Sequence, residues 1–359
     1  MSNQLLISMS PHIRDKGTVS RIMWDVNIAL IPALIGSIYF FGLTAIYTIV
    51  SAIAGALLAE YLSTKIRGVP NTIKDGSALI TGILLAFNLP PHTPLWMPFL
   101  GAAIGIIVGK QFFGGLGNNP LNPALIGRAF LLASWPVTMT KWYENMAPSG
   151  GTLSGLLKAG NLITSATPLT VMKTISKAKH ALPAGGNLEQ SLIDNYNALI
   201  DAPNLINLLV GRVGGCIGET SALLLIIGGI YLLAKKIIDW KIPATYFGTI
   251  FVLSILLGGI EGKFCIRTGL FHLFAGGVML GGIFMLTDMV TSPVTPLGRI
   301  IYGIGGGLIV IIIRFWGGYP EGCCYSILIM NVTVPLIDRY TRPKIYGFIP
   351  PKKEEVKNA

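Results

Sequence analysis

Four short stretches carry the residue types that could do chemistry. The first is NLITSATPLT (161–170), a run of hydroxyls that ends in Thr167–Pro168. Threonine followed by proline reads as the N-cap and first position of a helix running through LTVMKTISKA. Such a helix start offers unpaired N–H groups and the positive end of the helix dipole, which suit a phosphate. Lys173 and Lys177 follow one and two turns later and could add charge. The plain alternative is a threonine cap that holds no ligand. The second stretch is GGLGNNPLNPALIGRAF (114–130). Asn119 and Asn122 are three residues apart and share one helical face. Their amides offer donors and acceptors that suit the edge of a flat heterocycle, although asparagine beside Gly and Pro also serves as a turn or cap residue. In the third, LTDMVTSPVTP (286–296), Asp288 meets hydroxyls at a proline-broken helix end. A carboxylate, hydroxyls and free carbonyls together could coordinate a cation or line its path. The fourth is GETS (218–221), with Glu219 and Thr220 just before an apolar run.

Other chemistry has no visible machinery. Walker A, HExxH and GxSxG patterns are absent, so a hydrolase or an ATP-driven pump is not indicated. His12, His92, His180 and His272 are scattered without metal-ligand spacing. Cys216, Cys265, Cys323 and Cys324 form no CxxC pair and read as small residues in helix packing, not as a zinc site or a disulfide framework.

The elements that must position these residues follow from the solvent. Of 359 residues, 52% are hydrophobic and only 12% charged, and mean hydropathy is +0.65. A soluble domain carries roughly a quarter charged residues. With 44 glycines, which let helices approach closely, the composition describes an all-α, multi-pass membrane protein in the lipid bilayer. Ten spans are expected, at 24–42, 43–62, 77–90, 97–113, 120–137, 221–238, 243–260, 270–287, 298–316 and 322–338. Of these, 77–90 and 120–137 are short or broken by Pro and Gly, and 204–218 reads as a re-entrant or interfacial piece. No cleavable signal peptide is expected at the start. The net charge of +11 does not indicate nucleic acid, because the cations lie in short loops that ten spans place on one side. Arg14, Arg21, Lys65, Arg67, Lys74, Lys110, Lys235, Lys236, Lys241, Arg299 and the C-terminal basic residues share that side, which should be the cytoplasm. EGKFCIR (261–267) is the exception among the opposite loops. The expected organisation is a cytoplasmic N-terminus (1–23), a first five-helix repeat (24–137), an external loop (138–203), a second five-helix repeat (204–338) and a cytoplasmic tail (339–359).

The two halves resemble each other. TGILLAFNLPPHTPLW (81–96) parallels GGIFMLTDMVTSPVTPLG (281–298), and KQFFGGLGNNP (110–120) parallels IRFWGGYPEG (313–322). Repeats of five spans must be inverted, and broken helices at matching positions of inverted halves mark a midplane site or pathway. Asp25, Asp75, Arg128, Glu219 and Asp288 are the charged residues expected at membrane depth or its edges, as functional groups or as caps.

Taken together, the chain resembles the RnfD/NqrB family along essentially its whole length. The resemblance rests on SPHIRDKGTVSRIMWDV, KDGSALITGILLAFNLP, GGLGNNPLNPALIGRAF, SATPLT, IGETSALLLIIGG and FMLTDMVTSPVTPLGR, in that order. The first span is reached by residue 24, which points to the RnfD branch, since NqrB chains typically carry a longer N-terminal extension. The resemblance implies that an external threonine carries FMN through a phosphoester, attached by a flavin transferase at a D-x-x-(S/T)-G-A-T pattern. The matching residues run from Asn161 to Thr167, so Thr167 is the implied acceptor, with Asn161 in place of Asp and Ser165 in place of Gly. It further implies a non-covalent riboflavin at Asn119 and Asn122, near the cytoplasmic side. Glu219 and Thr220 are expected as neighbours of the FMN, and Asp288 on an ion pathway.

The implied function is electron carriage through flavin in a ferredoxin:NAD oxidoreductase (Rnf) complex that moves Na⁺ or H⁺ across the cell membrane. Iron–sulfur centres and NAD sites would belong to partner subunits, since the chain has neither cysteine clusters nor a dinucleotide fingerprint. Two alternatives stand beside this reading: an NqrB-like subunit of a quinone reductase, and a urea- or ammonia-channel-like pore without redox function.

Overall fold

The computed structural model describes residues 17–142, 167–181, 189–219, 221–258 and 264–343, and the regular elements among them are all helices. Thr18 caps α1 (Val19–Phe41), its hydroxyl accepting from Arg21 N–H. Gly42 alone joins α1 to α2 (Leu43–Arg67), and α2 ends with Lys65 and Arg67 in its last turn, where the helix dipole favours cations. A 3₁₀ turn (Ile73–Asp75) and Gly76 lead into α3 (Ser77–Phe87). The helix α4 (Trp96–Ile106) runs on as a π-helical turn, Ile107–Gln111, and α5 (Pro123–Ser134) is followed by a single turn, Pro136–Met139.

Beyond the undescribed residues come α6 (Pro168–Ala181), α7 (Gln190–Ile200) and α8 (Ala202–Val210). Then follow α9 (Ala222–Ala234), α10 (Lys241–Gly258) and α11 (Ile266–Phe274). The chain breaks at Ala275–Gly277, turns by 71°, and continues as α12 (Val278–Leu280, extended by the π turn Gly281–Met285). The long α13 (Pro296–Phe315) and α14 (Cys323–Tyr340) complete the fold.

Four helices, α1, α2, α10 and α13, are long and apolar enough to cross a membrane, and the bent pair α11–α12 makes a fifth. Three more apolar helices, α3, α5 and α9, are shorter. The ten expected spans therefore all correspond to helices, but half of them fall short of full-length crossings on length and apolarity. Lipid-facing stripes are visible along the long helices: Ile28, Ile31, Ile35 and Tyr39 on α1 are about half exposed or more. Exposed apolar rows of this length belong against lipid.

The same packing plan recurs in both halves. α2 lies along α4 as α10 lies along α13, α4 packs on α5 as α13 packs on α14, and the halves meet through α1 against α9 and α5 against α14. The close approaches depend on glycine: a side chain at Gly55 would collide with the Phe99 carbonyl, and one at Gly307 with the Tyr246 carbonyl. The short helices α3 and α12 sit at the centre of their halves and are almost wholly buried. Each is preceded by a left-handed glycine, Gly76 (φ +81°) and Gly276 (φ +72°).

The segment expected as an external loop holds α6 and α7, and α8 begins within it. These three helices form a small core of their own around Leu169, Met172, Tyr196 and Leu208, docked on Phe271 and Ala275. Tyr196 fastens them, sharing a hydrogen bond with the Thr268 hydroxyl (2.6 Å) and donating to the Gly258 carbonyl (3.1 Å). The stretch 204–218, read as re-entrant or interfacial, is the end of α8 followed by turns.

Candidate functional sites

Thr167 caps α6. Its hydroxyl accepts from Thr170 N–H (3.2 Å) and pairs with the Thr170 hydroxyl (2.8 Å), while its carbonyl accepts from Val171 N–H (3.1 Å). It stands on a cavity of about 410 Å³ lined also by Leu208, Gly215, Glu219, Gly276 and Glu321. Thr167 and Glu219, 52 residues apart in sequence, are thus brought to one place. Thr220, Asn161 and Ser165 lie outside the described residues.

Backbone pairing holds Glu219 there. Ile217 N–H donates to the Leu89 carbonyl (3.0 Å) and Gly218 N–H to the Phe87 carbonyl (2.9 Å), so this turn is tied to the C-terminal end of α3. Arg128, from α5, reaches into the same place. Its guanidinium donates to the Asn88 amide oxygen, to Glu219 at 3.4 Å and to Glu321. Burial, and then the Glu321 charge, push the Glu219 carboxyl up to about 8 against the pull of Arg128. Two carboxylates share one arginine, and Glu219 is the one that takes a proton readily. Cys216 Sγ and the two carboxylates lie within 4.8 Å of one another, a spacing that a metal could use. Arg128 already supplies a cation to both carboxylates, and burial pushes the Cys216 thiol well up. The cluster is an ion-pair network.

The second cavity, about 760 Å³, brings Asn119, Asn122 and Asp288 together with Ser77, Thr81, Lys110, Phe284 and Thr287. Both asparagines are buried and partly spent on backbone. Asn122 caps α5, accepting from Ala124 N–H (3.0 Å) and Leu125 N–H (3.4 Å), and donates to the Met285 carbonyl (3.4 Å). Asn119 donates to the Leu121 carbonyl (3.3 Å). The cap reading of Asn122 is therefore correct as local structure, and the cavity lining comes in addition to it. Asp288 accepts from Val290 N–H and the Thr291 hydroxyl (3.4 and 3.3 Å).

This cavity also contains what sequence reasoning missed. Lys110 counts in the sequence as a loop cation, but it is 1% exposed and its ammonium lies 2.7 Å from a carboxylate oxygen of Glu60, which is fully buried. Lys110 also donates to the Ser77 hydroxyl (2.7 Å), and Thr72 donates to Glu60. The one signal was the repeat alignment, which sets Lys110–Gln111 against Ile313–Arg314. Arg314 is likewise buried, donating to carbonyls at the helix break. Glu60 gave no signal beyond its charge within an apolar run. Asp75 is a local cap, accepting from Ser77 N–H (2.8 Å) and the Ser77 hydroxyl (2.6 Å), and Asp25 accepts from Tyr231 (2.9 Å).

The two cavities flank the short helices. α3 starts at the Lys110 cavity and ends beside Asn88 and Arg128, whereas α12 starts where Gly277 meets the Glu219 carboxylate and ends toward Thr287 and Asp288. They run in opposite directions. The eleven residues of α3 span about 16 Å at 1.5 Å per residue.

Residues 6–347 match the sequence profile described as the NQR2, RnfD, RnfE family. The chain is 44% identical over 347 residues to the D-type subunit of the proton-translocating ferredoxin:NAD(+) oxidoreductase complex of Clostridium ljungdahlii, covering 96% of this chain and 97% of that one. It is 43% identical over 352 residues to the D-type subunit of the Na(+)-translocating ferredoxin:NAD(+) oxidoreductase complex of Acetobacterium woodii, covering 98% of each. To the D-type subunit of the ion-translocating oxidoreductase complex of Escherichia coli (strain K12) it is 38% identical over 363 residues, covering 95% and 98%.

Proposed function

The chain belongs to the NQR2, RnfD, RnfE family, and from this premise we propose that it is the D-type membrane subunit of an ion-translocating ferredoxin:NAD oxidoreductase complex. Its role there is to carry electrons within a multi-subunit assembly that couples them to cation movement. Partner subunits supply the iron–sulfur centres and the NAD site. Two inverted five-helix repeats, with both termini on the cytoplasmic side and α6–α8 outside, are the arrangement that fits the distribution of loop cations.

Thr167 is the proposed anchor for FMN, held by a phosphoester that a flavin transferase forms. The observation that carries this reading is the placement of Thr167: it caps a fourteen-residue helix and stands on a cavity of about 410 Å³. The helix start meets a phosphate with its positive dipole end, worth about 0.3–1 kcal/mol. Glu219 and Glu321 would otherwise repel that phosphate, and Arg128 offsets them. The flavin, when bound, supplies the one- and two-electron chemistry, and the protein positions and tunes it. The second cavity, with the Asn119 and Asn122 amides on its wall, is the proposed place of a non-covalent flavin such as riboflavin, and Asp288 beside it the proposed ion-path residue.

The test of the anchor is a denaturing gel of protein co-expressed with its flavin transferase. A fluorescent flavin band in the native chain that disappears in Thr167→Val is the expected result. A native band without fluorescence would overturn the assignment of Thr167 as the flavin anchor.

A further inference from the structure

A third cavity, of about 470 Å³, lies between α6, α10, α11 and α13. It is lined by Lys173, Lys179, His272 and Arg314, with Met172, Leu257 and Phe315 among its apolar walls. Among the described residues no carboxylate lines it. We propose that this cavity binds a phosphate-class oxyanion, at a site distinct from the Thr167 cavity and independent of whether Thr167 carries a flavin.

Arg314, on α13, is 3% exposed. Among the described residues its guanidinium donates to neutral acceptors: Nε to the Glu321 carbonyl (3.2 Å), Nη1 to the His272 carbonyl and Nη2 to the Ala275 carbonyl (2.8 Å). Among the described residues no carboxylate pairs with it, and the nearby Glu219 and Glu321 carboxylates are turned to Arg128. A buried charge without a paired anion is costly.

His272 sharpens the point. Arg314 Nη1 lies 3.3 Å from His272 Nδ1. A guanidinium can only donate, so Nδ1 is the acceptor and the ring proton sits on Nε2. That Nε2–H is buried and has no partner among the described residues, although His272 is only 3% exposed. An unsatisfied buried donor costs roughly 1–3 kcal/mol, which a ligand acceptor would recover. Lys173 adds an ammonium that is 7% exposed and donates to the Tyr319 carbonyl. A buried guanidinium, the Lys173 ammonium and an orphaned N–H among the residues of one cavity call for several acceptor oxygens and negative charge.

Two sources offer that chemistry. Leu257, at the last turn of α10, is 38% exposed on the apolar flank, so a phospholipid headgroup could enter from the membrane edge. A soluble phosphate ester or inorganic phosphate could enter from water. The Thr167 cavity is different in kind, since Glu219 and Glu321 line it.

The full-length protein should be unfolded thermally in phosphatidylcholine nanodiscs, with inorganic phosphate against chloride at matched ionic strength, and again with phosphatidylglycerol in the disc. The expected result is a midpoint raised by several degrees with one of these anions. A rise with inorganic phosphate identifies a soluble source, and a rise with phosphatidylglycerol alone identifies a headgroup. The rise should vanish in Lys173→Met/Lys179→Met and in His272→Gln and persist in Thr167→Val. Should the variants fail to fold, acetylation of the native chain gives the same answer, because the anion should protect Lys173. No rise and no protection with either anion, an equal rise in the lysine variant, or loss of the rise in Thr167→Val overturns the proposal.

Discussion

Glu60 and Lys110 form a hydrogen-bonded ion pair where neither meets solvent, and the second Glu60 oxygen, Oε2, has no partner among the described residues. Removing one member leaves the other charged and buried. Lys110→Met is expected to cost about 3–5 kcal/mol, and Glu60→Gln/Lys110→Met together to recover most of it. Unfolding of the three proteins in mixed micelles measures this; equal losses in single and double variants would show that the pair is not coupled. Lys173 offers a pH test. Burial first, and then Lys177, lower its ammonium from 10.5 to about 8. Between about 8 and 10.5 the unfolded chain holds the proton and the folded chain does not, so this residue's contribution to stability rises as pH rises through that window. The midpoint of the native protein minus that of Lys173→Met should therefore increase from pH 7.5 to pH 10. A flat difference would mean that the lysine is not desolvated.

At the scale of elements, the broken helices depend on glycine. Gly276 has φ +72° and is crowded: an added Cβ would lie 3.2 Å from Leu169 and 3.4 Å from Arg314. Gly68 has φ +65° with open space around it. Gly68→Ala should cost only the left-handed strain, about 1–2 kcal/mol, and Gly276→Ala that strain plus displacement of Leu169 or Arg314. Thermal midpoints of the two variants check the order. The elements were largely legible in the sequence because lipid-facing and core-facing helices are both apolar, and Gly and Pro mark their ends: Thr167–Pro168, Asn122–Pro123 and Thr295–Pro296 all cap helices as such pairs do. What the sequence hid was depth. Lys110 lies just before the glycines that end its expected span and counts with the loop cations, yet the π turn carries it inward to Glu60. Contacts made 50 residues away in the chain leave no periodicity to read. The gathering of Asn119, Asn122 and Asp288 was equally invisible, since each could be found singly but nothing local joins residue 122 to residue 288.

At the scale of the whole molecule, two cavities are joined by two short buried helices that run in opposite senses. Aligned peptide dipoles give a helix an effective half-charge at each end. With α3 and α12 opposed, each cavity faces the positive end of one helix and the negative end of the other, and the two fields cancel along the line between them. A charge passed from one cavity to the other therefore gains nothing from these helices in either direction. A preference for direction must then come from the starts of α6 and α5, which meet the two cavities at Thr167 and Asn122, and from side chains: Arg128, Glu219 and Glu321 at one end, Lys110, Glu60 and Asp288 at the other. The two opposed helices are neutral as to direction, and the groups around them are left to supply any polarity.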